Sequence, residues 1–274
     1  MSKQSGLLTA AEGAVVSVEN ASGKSPVLLV CEHASRRLPE ALGTLGLAPD
    51  ALTAHIAWDP GALAVARKLS VALDATLVFQ NFSRLAYDCN RPPDSPDAMP
   101  EVSEVYEIPG NRDLGPAERQ ARIDDIYRPW QKTLTETIAA RKAAGRLSVI
   151  VTIHTFTPIY KGRERKVEIG ILHDRDRRLA DAMLARAGSG YRVERNEPYG
   201  PEDGVTHTLV EHGLANGLLN VMIEVRNDLV GDENGQARVS SLLEALVSGS
   251  LAEDLAEDLA EEKIRGNSKA DATS

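Results

Sequence analysis

The chain has 274 residues, of which 42% are hydrophobic and 26% charged, with a formal net charge of −9. That length suits one large α/β domain or two small ones, and the acidic balance opposes general binding to nucleic-acid phosphates. No apolar run reaches the roughly 18 residues that cross a bilayer, so no membrane partner is expected.

The N-terminal MSKQSGLLTAAEG has no apolar core of the kind a secretory signal needs. The two cysteines, Cys31 and Cys89, cannot make a disulfide scaffold or a paired zinc site. They are expected to be reduced, partly buried thiols of a cytoplasmic protein.

Residues 1–23 are small and polar and are expected to form a flexible N-terminus. VLLVCEH (27–33) is a continuous apolar run, the pattern of a strand buried on both faces. DPGALAVARKLSVALD (59–74) follows a polar loop. Asp59 before Pro60 is N-cap chemistry, and apolar residues then recur at helical spacing. TLVFQ (76–80) and RLAYD (84–88) read as strands. Residues 90–115 are too rich in proline for regular structure and form a long, functional loop.

A helix is predicted over 116–144, with a kink or break at Pro129. LSVIVTIH (147–154) and VEIGILHD (167–174) are further strands, 176–188 a helix, and YRVERN (191–196) an edge strand. A helix near 206–216 leads into the last buried strand, LLNVMIEV (218–225). The duplicated LAED of residues 251–274 reads as an acidic helical or disordered tail. Residues 24–250 then make a single α/β domain: a mixed, mostly parallel sheet in three layers, with helices on both faces.

Such sheets place chemistry at the carboxyl ends of their strands. Those ends carry Glu32 and His33, then Asp88, Asn90 and Arg91, then His154, and finally Glu224 with Arg226. Asp59 joins the same edge. Each residue has a plain structural reading: Asp88 as a turn cap, and Glu224 as the ion-pair partner of Arg226 on the same side of the strand. Two imidazoles and one carboxylate together make an open zinc site with room for water. Of the other histidines, His55 is expected at the surface, His173 near the site, and His207 and His212 in solvent.

CEHAS (31–35), WDPGA (58–62), YDCNRPP (87–93), TIHTFTP (152–158) and IEVRNDL (223–229) occur in this order. TIHTFTP and IEVRNDL, with the Asn90–Arg91 pair, resemble the zinc carboxypeptidase-like amidohydrolases; more narrowly, CEHAS, WDPGA, YDCNRPP and IEVRNDL resemble the N-formylglutamate amidohydrolase family, over roughly residues 24–248. The resemblance implies a phosphorylase/hydrolase-like sheet, one divalent metal (usually zinc), and hydrolysis of an N-acyl amide of an acidic amino acid. It implies His33 and His154 as metal ligands, Glu224 as the group that activates water, and Asn90 and Arg91 as the holders of a substrate carboxylate. Arg84 or Arg226 could support a second carboxylate.

Carboxypeptidases carry a glutamate three residues after the first metal histidine, where this chain has Arg36. The acidic ligand is therefore Asp59 or Glu32. Asp59 is favoured, because neighbours on a strand face opposite ways and Glu32 would face away from His33. The rivals are hydrolysis of another N-acyl amino acid or short peptide, and a metal-free binding protein on the same scaffold. The partner in each case is a small molecule; the sequence leaves the oligomeric state open.

Overall fold

The computed structural model describes residues 6–271, with side chains described as far as Ala252. In chain order the elements are β1 (Val16–Glu19), β2 (Val27–Cys31), α1 (Ala62–Leu73), β3 (Thr76–Gln80), the hairpin β4 (Val102–Ser103) and β5 (Tyr106–Glu107), α2 (Pro116–Arg122), α3 (Arg128–Ala143) and β6 (Val149–Phe156). A second hairpin, β7 (Ile159–Tyr160) and β8 (Arg163–Glu164), precedes β9 (Ile169–Leu172), α4 (Arg178–Arg186), β10 (Val193–Arg195), β11 (Asn220–Arg226) and α5 (Glu233–Asp271).

Seven strands form one sheet in the order β1-β3-β2-β6-β11-β9-β10. The central β3, β2, β6 and β11 run parallel, while β1 on β3 and β9 on β11 are antiparallel. The fold is thus α/β with a mostly parallel sheet.

Alternation along each strand divides the core. Val27, Leu29 and Cys31 pack with α1, α4 and α5, whereas Leu28 and Val30 pack under α3 with Trp130 and Leu134. By the same parity, Met222 of β11 and Ile150 of β6 lie on the α3 side. Thr152, His154 and Glu224 share that parity, so the polar residues are gathered on one face of the sheet.

Four expectations are corrected. The N-terminal segment read as flexible supplies β1, with Val16 opposite Gln80, and Leu7 and Leu8 pack against the core under α3. Residues 1–5 lie outside the described residues.

RLAYD is a buried loop, because β3 is already flanked by β1 and β2 and has no free edge. Its carbonyls are met by side chains: Asn111 Nδ2 donates to Leu85 O at 3.1 Å and Arg122 Nη1 to Ala86 O at 3.2 Å.

Asp59 does not cap α1. Gly61 occupies that position at φ 87, where any side chain would meet Val230, and so frees the Asp59 carboxylate. The segment predicted as a helix over 206–216 is wound as a π turn, Leu209–Gly213, and a 3₁₀ turn, Leu214–Asn216.

The helix predicted over 116–144 is interrupted as Pro129 requires. A π turn over Ile123–Tyr127 joins α2 to α3, because proline offers no N–H to the preceding turn. The backbone of α5 is helical to Asp271, and the side chains of the acidic tail beyond Ala252 lie outside the described residues.

Candidate active site

β2 ends at Cys31, so His33 escapes strand alternation and turns toward β6. His33 Nδ1 lies 3.2 Å from His154 Nδ1 and 3.3 Å from Asp59 Oδ2, and His154 Nδ1 lies 3.1 Å from the same oxygen. All three side chains are buried. Two imidazole nitrogens and a carboxylate oxygen at these separations match the edge of a tetrahedron with 2.0–2.1 Å bonds, about 3.3 Å. The donor set His33–Asp59–His154 therefore fits one divalent ion such as zinc.

The far nitrogens are held by carboxylates. His33 Nε2 lies 2.7 Å from Asp88 Oδ1, and His154 Nε2 lies 3.0 Å from Glu32 Oε2, in poor hydrogen-bond alignment. Asp88 also accepts from Asn90 N at 2.9 Å. Such outer carboxylates fix the tautomer and ring angle of a metal-binding histidine. Glu32 thus stands behind His154, and Asp59 stands among the donors.

The charges are strongly coupled. Burial pushes the His33 imidazole down, but Asp88 and Asp59 beside it carry it upward overall. His154 is raised well above the usual range: burial opposes this, but Glu32 and Asp59 outweigh it. Burial would raise Asp59, yet His33, His154 and Arg84 hold it well below the carboxylate range. Raised imidazoles beside a lowered carboxylate favour protons on the cluster, and a cation bound there would compete with them.

Glu224 is paired in register with His154 on the adjacent strand. It is 4% exposed, and its Oε2 has no hydrogen-bond partner among the described residues. Burial pushes its carboxyl up to about 7, against the lowering effect of His154. Arg226 does not answer it. That guanidinium donates to Asp228 Oδ1 at 2.8 Å, approaches Glu168 at 3.6 Å, and belongs to a separate surface cleft. The proposed Glu224–Arg226 ion pair is absent, and so is a place for Arg226 in substrate binding.

The cavity above the cluster measures about 290 Å³ and includes His33, Asp59, Asp88, His154 and Glu224 in its lining. Arg84 and Arg91 also line it. Arg84 Nη1 donates to Asp59 Oδ1 at 3.0 Å and lies 3.2 Å from His33 Nδ1. Arg91 Nη1 donates to Gly204 O, while its buried Nε has no partner among the described residues. Asn90 spends both ends of its amide on backbone: Nδ2 to Val205 O at 2.5 Å, and Oδ1 from Thr208 N at 3.0 Å. It fixes the 205–208 wall and also lines the cavity, with a second N–H on Nδ2 beyond the one given to Val205.

Sequence reasoning placed His55 at the surface, but it is buried in the site. Its Nε2 is 2.6 Å from Thr155 O and 3.5 Å from Asp59 Oδ1, and its Nδ1 is 3.2 Å from Glu104 Oε1. The four-residue spacing of His55 and Asp59 was the available signal. Tyr199, whose hydroxyl accepts from Arg165 Nη2 at 2.9 Å, also lines the cavity and gave no signal. His173 turns instead to Arg195 and Asp174 O. His207 and His212 are not solvated, being held by the Tyr127 hydroxyl and Gln131.

An α/β sheet with a His–Asp–His cluster and an unpartnered buried glutamate at its strand ends has the parts of a metal-assisted hydrolase. The chain belongs to the N-formylglutamate amidohydrolase family, whose model matches residues 25–231. It is similar to the crystal structure of a gene product from Agrobacterium tumefaciens, at 61% identity and a TM-score of 0.89, covering 90% of this chain and 98% of that one. It shares its fold with the N-formylglutamate amidohydrolase of Ralstonia eutropha, at 21% identity and a TM-score of 0.58, covering 85% of this chain and 96% of that one. No curated protein matches the chain.

Proposed function

We propose that the protein is a zinc-dependent amidohydrolase that cleaves the linear amide of an N-acyl amino acid, with N-formylglutamate as the family's reference substrate. One observation carries the reading: three mutually close metal donors and an unpartnered, buried glutamate open into one cavity.

His33, His154 and Asp59 would hold the ion, and Asp88 and Glu32 would orient the two imidazoles. When bound, zinc lowers the pKa of its water and polarises the acyl oxygen. Glu224 takes the water proton and later passes it to the leaving amine. A carboxyl near pKa 7 suits both steps, although a cation at the cluster draws that value down. Arg91 supplies a guanidinium for the substrate carboxylate. Cys31 and Cys89 are free and buried, which supports a cytoplasmic setting for the enzyme.

The test is a screen of N-formyl, N-acetyl and N-succinyl amino acids against zinc-loaded protein, with metal content measured on the same sample. About one zinc per chain and release of free amino acid are expected. A chain that takes up no zinc and cleaves none of these amides is a binding protein, not a hydrolase.

A further inference from the structure

Arg91 is the guanidinium that the amide-hydrolysis reading gives to a substrate carboxylate, and the inference rests on that reading. Its Nη1 donates to Gly204 O and lies 3.4 Å from Asn90 O, while its buried Nε has no partner among the described residues. The direction of this fork is therefore set by where the Gly204 carbonyl stands. Gly204 takes φ 67 at the end of the 3₁₀ turn Pro201–Asp203, and its carbonyl is carried by the segment that follows.

Residues 204–208 are held from two sides. Asn90, on the cavity side, fixes Val205 O and Thr208 N. On the other side, Tyr127 Oη lies 2.9 Å from His207 Nε2, and the two rings stack with centroids 5.9 Å apart. Burial pushes the Tyr127 hydroxyl up to about 12 and His207 down, so the phenol keeps its proton and donates to a neutral imidazole. Tyr127 ends the π turn between α2 and α3, and His207 leads into the π turn Leu209–Gly213; such turns recur at functional sites.

Tyr127 also packs on Tyr87, ring centroids 5.1 Å apart, and the Tyr87 hydroxyl donates to Arg91 O at 3.3 Å. One pair of rings thus supports Arg91 twice: its backbone through Tyr87, and its guanidinium through the 204–208 segment. Neither Tyr127 nor His207 lines the cavity, so they act on a substrate only through Arg91. The α-carboxylate lies a fixed number of bonds from the scissile nitrogen whatever the side chain, which suits a guanidinium held at one place.

We propose that Tyr127 and His207 are positioning residues that aim the Arg91 guanidinium at the α-carboxylate of the N-acyl amino acid, and so make the site prefer the free acid to its α-amide.

Isothermal titration of zinc-loaded E224Q, with and without Y127F, would compare N-formyl-L-glutamate with its α-amide. Hydrolysis of both is followed separately with Glu224 intact. Phenylalanine keeps the stacked ring and removes only the hydrogen bond. The E224Q background should bind the acid about tenfold or more tighter, because the amide gives up a charge-assisted pair. Y127F should cut that preference by about threefold or more, while zinc content and affinity for the α-amide stay within about twofold. H207A, which removes the acceptor, should cut the preference at least as far. A merely structural role would weaken both compounds alike or lower the zinc content, and either result overturns the inference. So does an unchanged preference in either variant, or a background that binds neither compound or never prefers the acid. The expected loss of preference in a protein that cleaves neither compound would uphold the positioning and overturn the amidohydrolase reading.

Discussion

Replacing Glu224 with glutamine separates catalysis from stability. In the structure this carboxylate faces the cavity beside His154 and has no arginine partner, so no buried ion pair is broken. Burial has moved it from 4.5 up to about 7, a bias of about 3 kcal/mol against the ionised form at 1.4 kcal/mol per pH unit. Glutamine keeps the shape without requiring a buried charge, so the metal-free variant should melt no lower than the metal-free parent near pH 7.5. Turnover should fall by about 10² to 10⁴, the range lost with a general base, or about 3–5 kcal/mol of barrier. Thermal melting, zinc content and initial rates on one preparation decide it. A variant that melts several degrees lower and retains near-normal turnover per folded molecule refutes the catalytic assignment.

Asp88→Asn should lower zinc affinity about 10- to 100-fold without unfolding the chain, because Asp88 holds the outer nitrogen of His33 at 2.7 Å; competition with a chromophoric chelator reads the change. Chelation of the zinc should lower the melting temperature, since 100 Kd of free ion stabilises the fold by about 2.7 kcal/mol, and an unchanged melt would remove the metal from the cluster. Burial, with His207 adding, pushes His212 down to about 4. The neutral form is therefore favoured in the fold, and its stability is full above about pH 6.5 and lost as pH falls toward 4, by at most about 3 kcal/mol. H212Q should flatten denaturation profiles over that window, and a slope equal to the parent's would show that His212 does not titrate there.

The legible part of the fold was the part that periodicity writes. Val27–Cys31, Val149–Phe156 and Asn220–Arg226 are buried on both sides of a parallel sheet, and such strands show as unbroken apolar runs. β1 escaped because an edge strand of four residues needs only Val16 and Val18 among polar neighbours. RLAYD has the apolar content of a strand, but its hydrogen bonds are made by Asn111 and Arg122, side chains distant in sequence that no local pattern reveals. The backbone partners of Asn90 were hidden in the same way. Its motif marks a position that matters, yet the partners that occupy it, Val205 and Thr208, lie more than a hundred residues away.

The site itself follows from where strand alternation holds and where it lapses. His154 and Glu224 are neighbours because β6 and β11 run parallel in register, which brings the middle histidine and the last glutamate of the sheet side by side on the α3 face. Glu32 keeps the parity of Leu28 and Val30 and so reaches the back of His154. His33 lies beyond the last residue of β2 and is free to turn its Nδ1 toward the front of that ring. Asp59 completes the group because Gly61, not Asp59, opens α1. Alanine at Gly61 would test that arrangement. Its Cβ would lie 2.6 Å from Val230 Cγ2, in a backbone conformation that L-residues adopt with strain. The α1 start would have to shift, carrying Asp59 with it. G61A should therefore weaken zinc binding although it alters no donor atom, and the added substitution V230A, which removes the Cγ2 contact but leaves the Val230 backbone oxygen at 2.9 Å and the strain, should restore only part of the loss. Full zinc affinity in G61A would show that Asp59 is placed by His33, His154 and Arg84 alone, independently of the helix start.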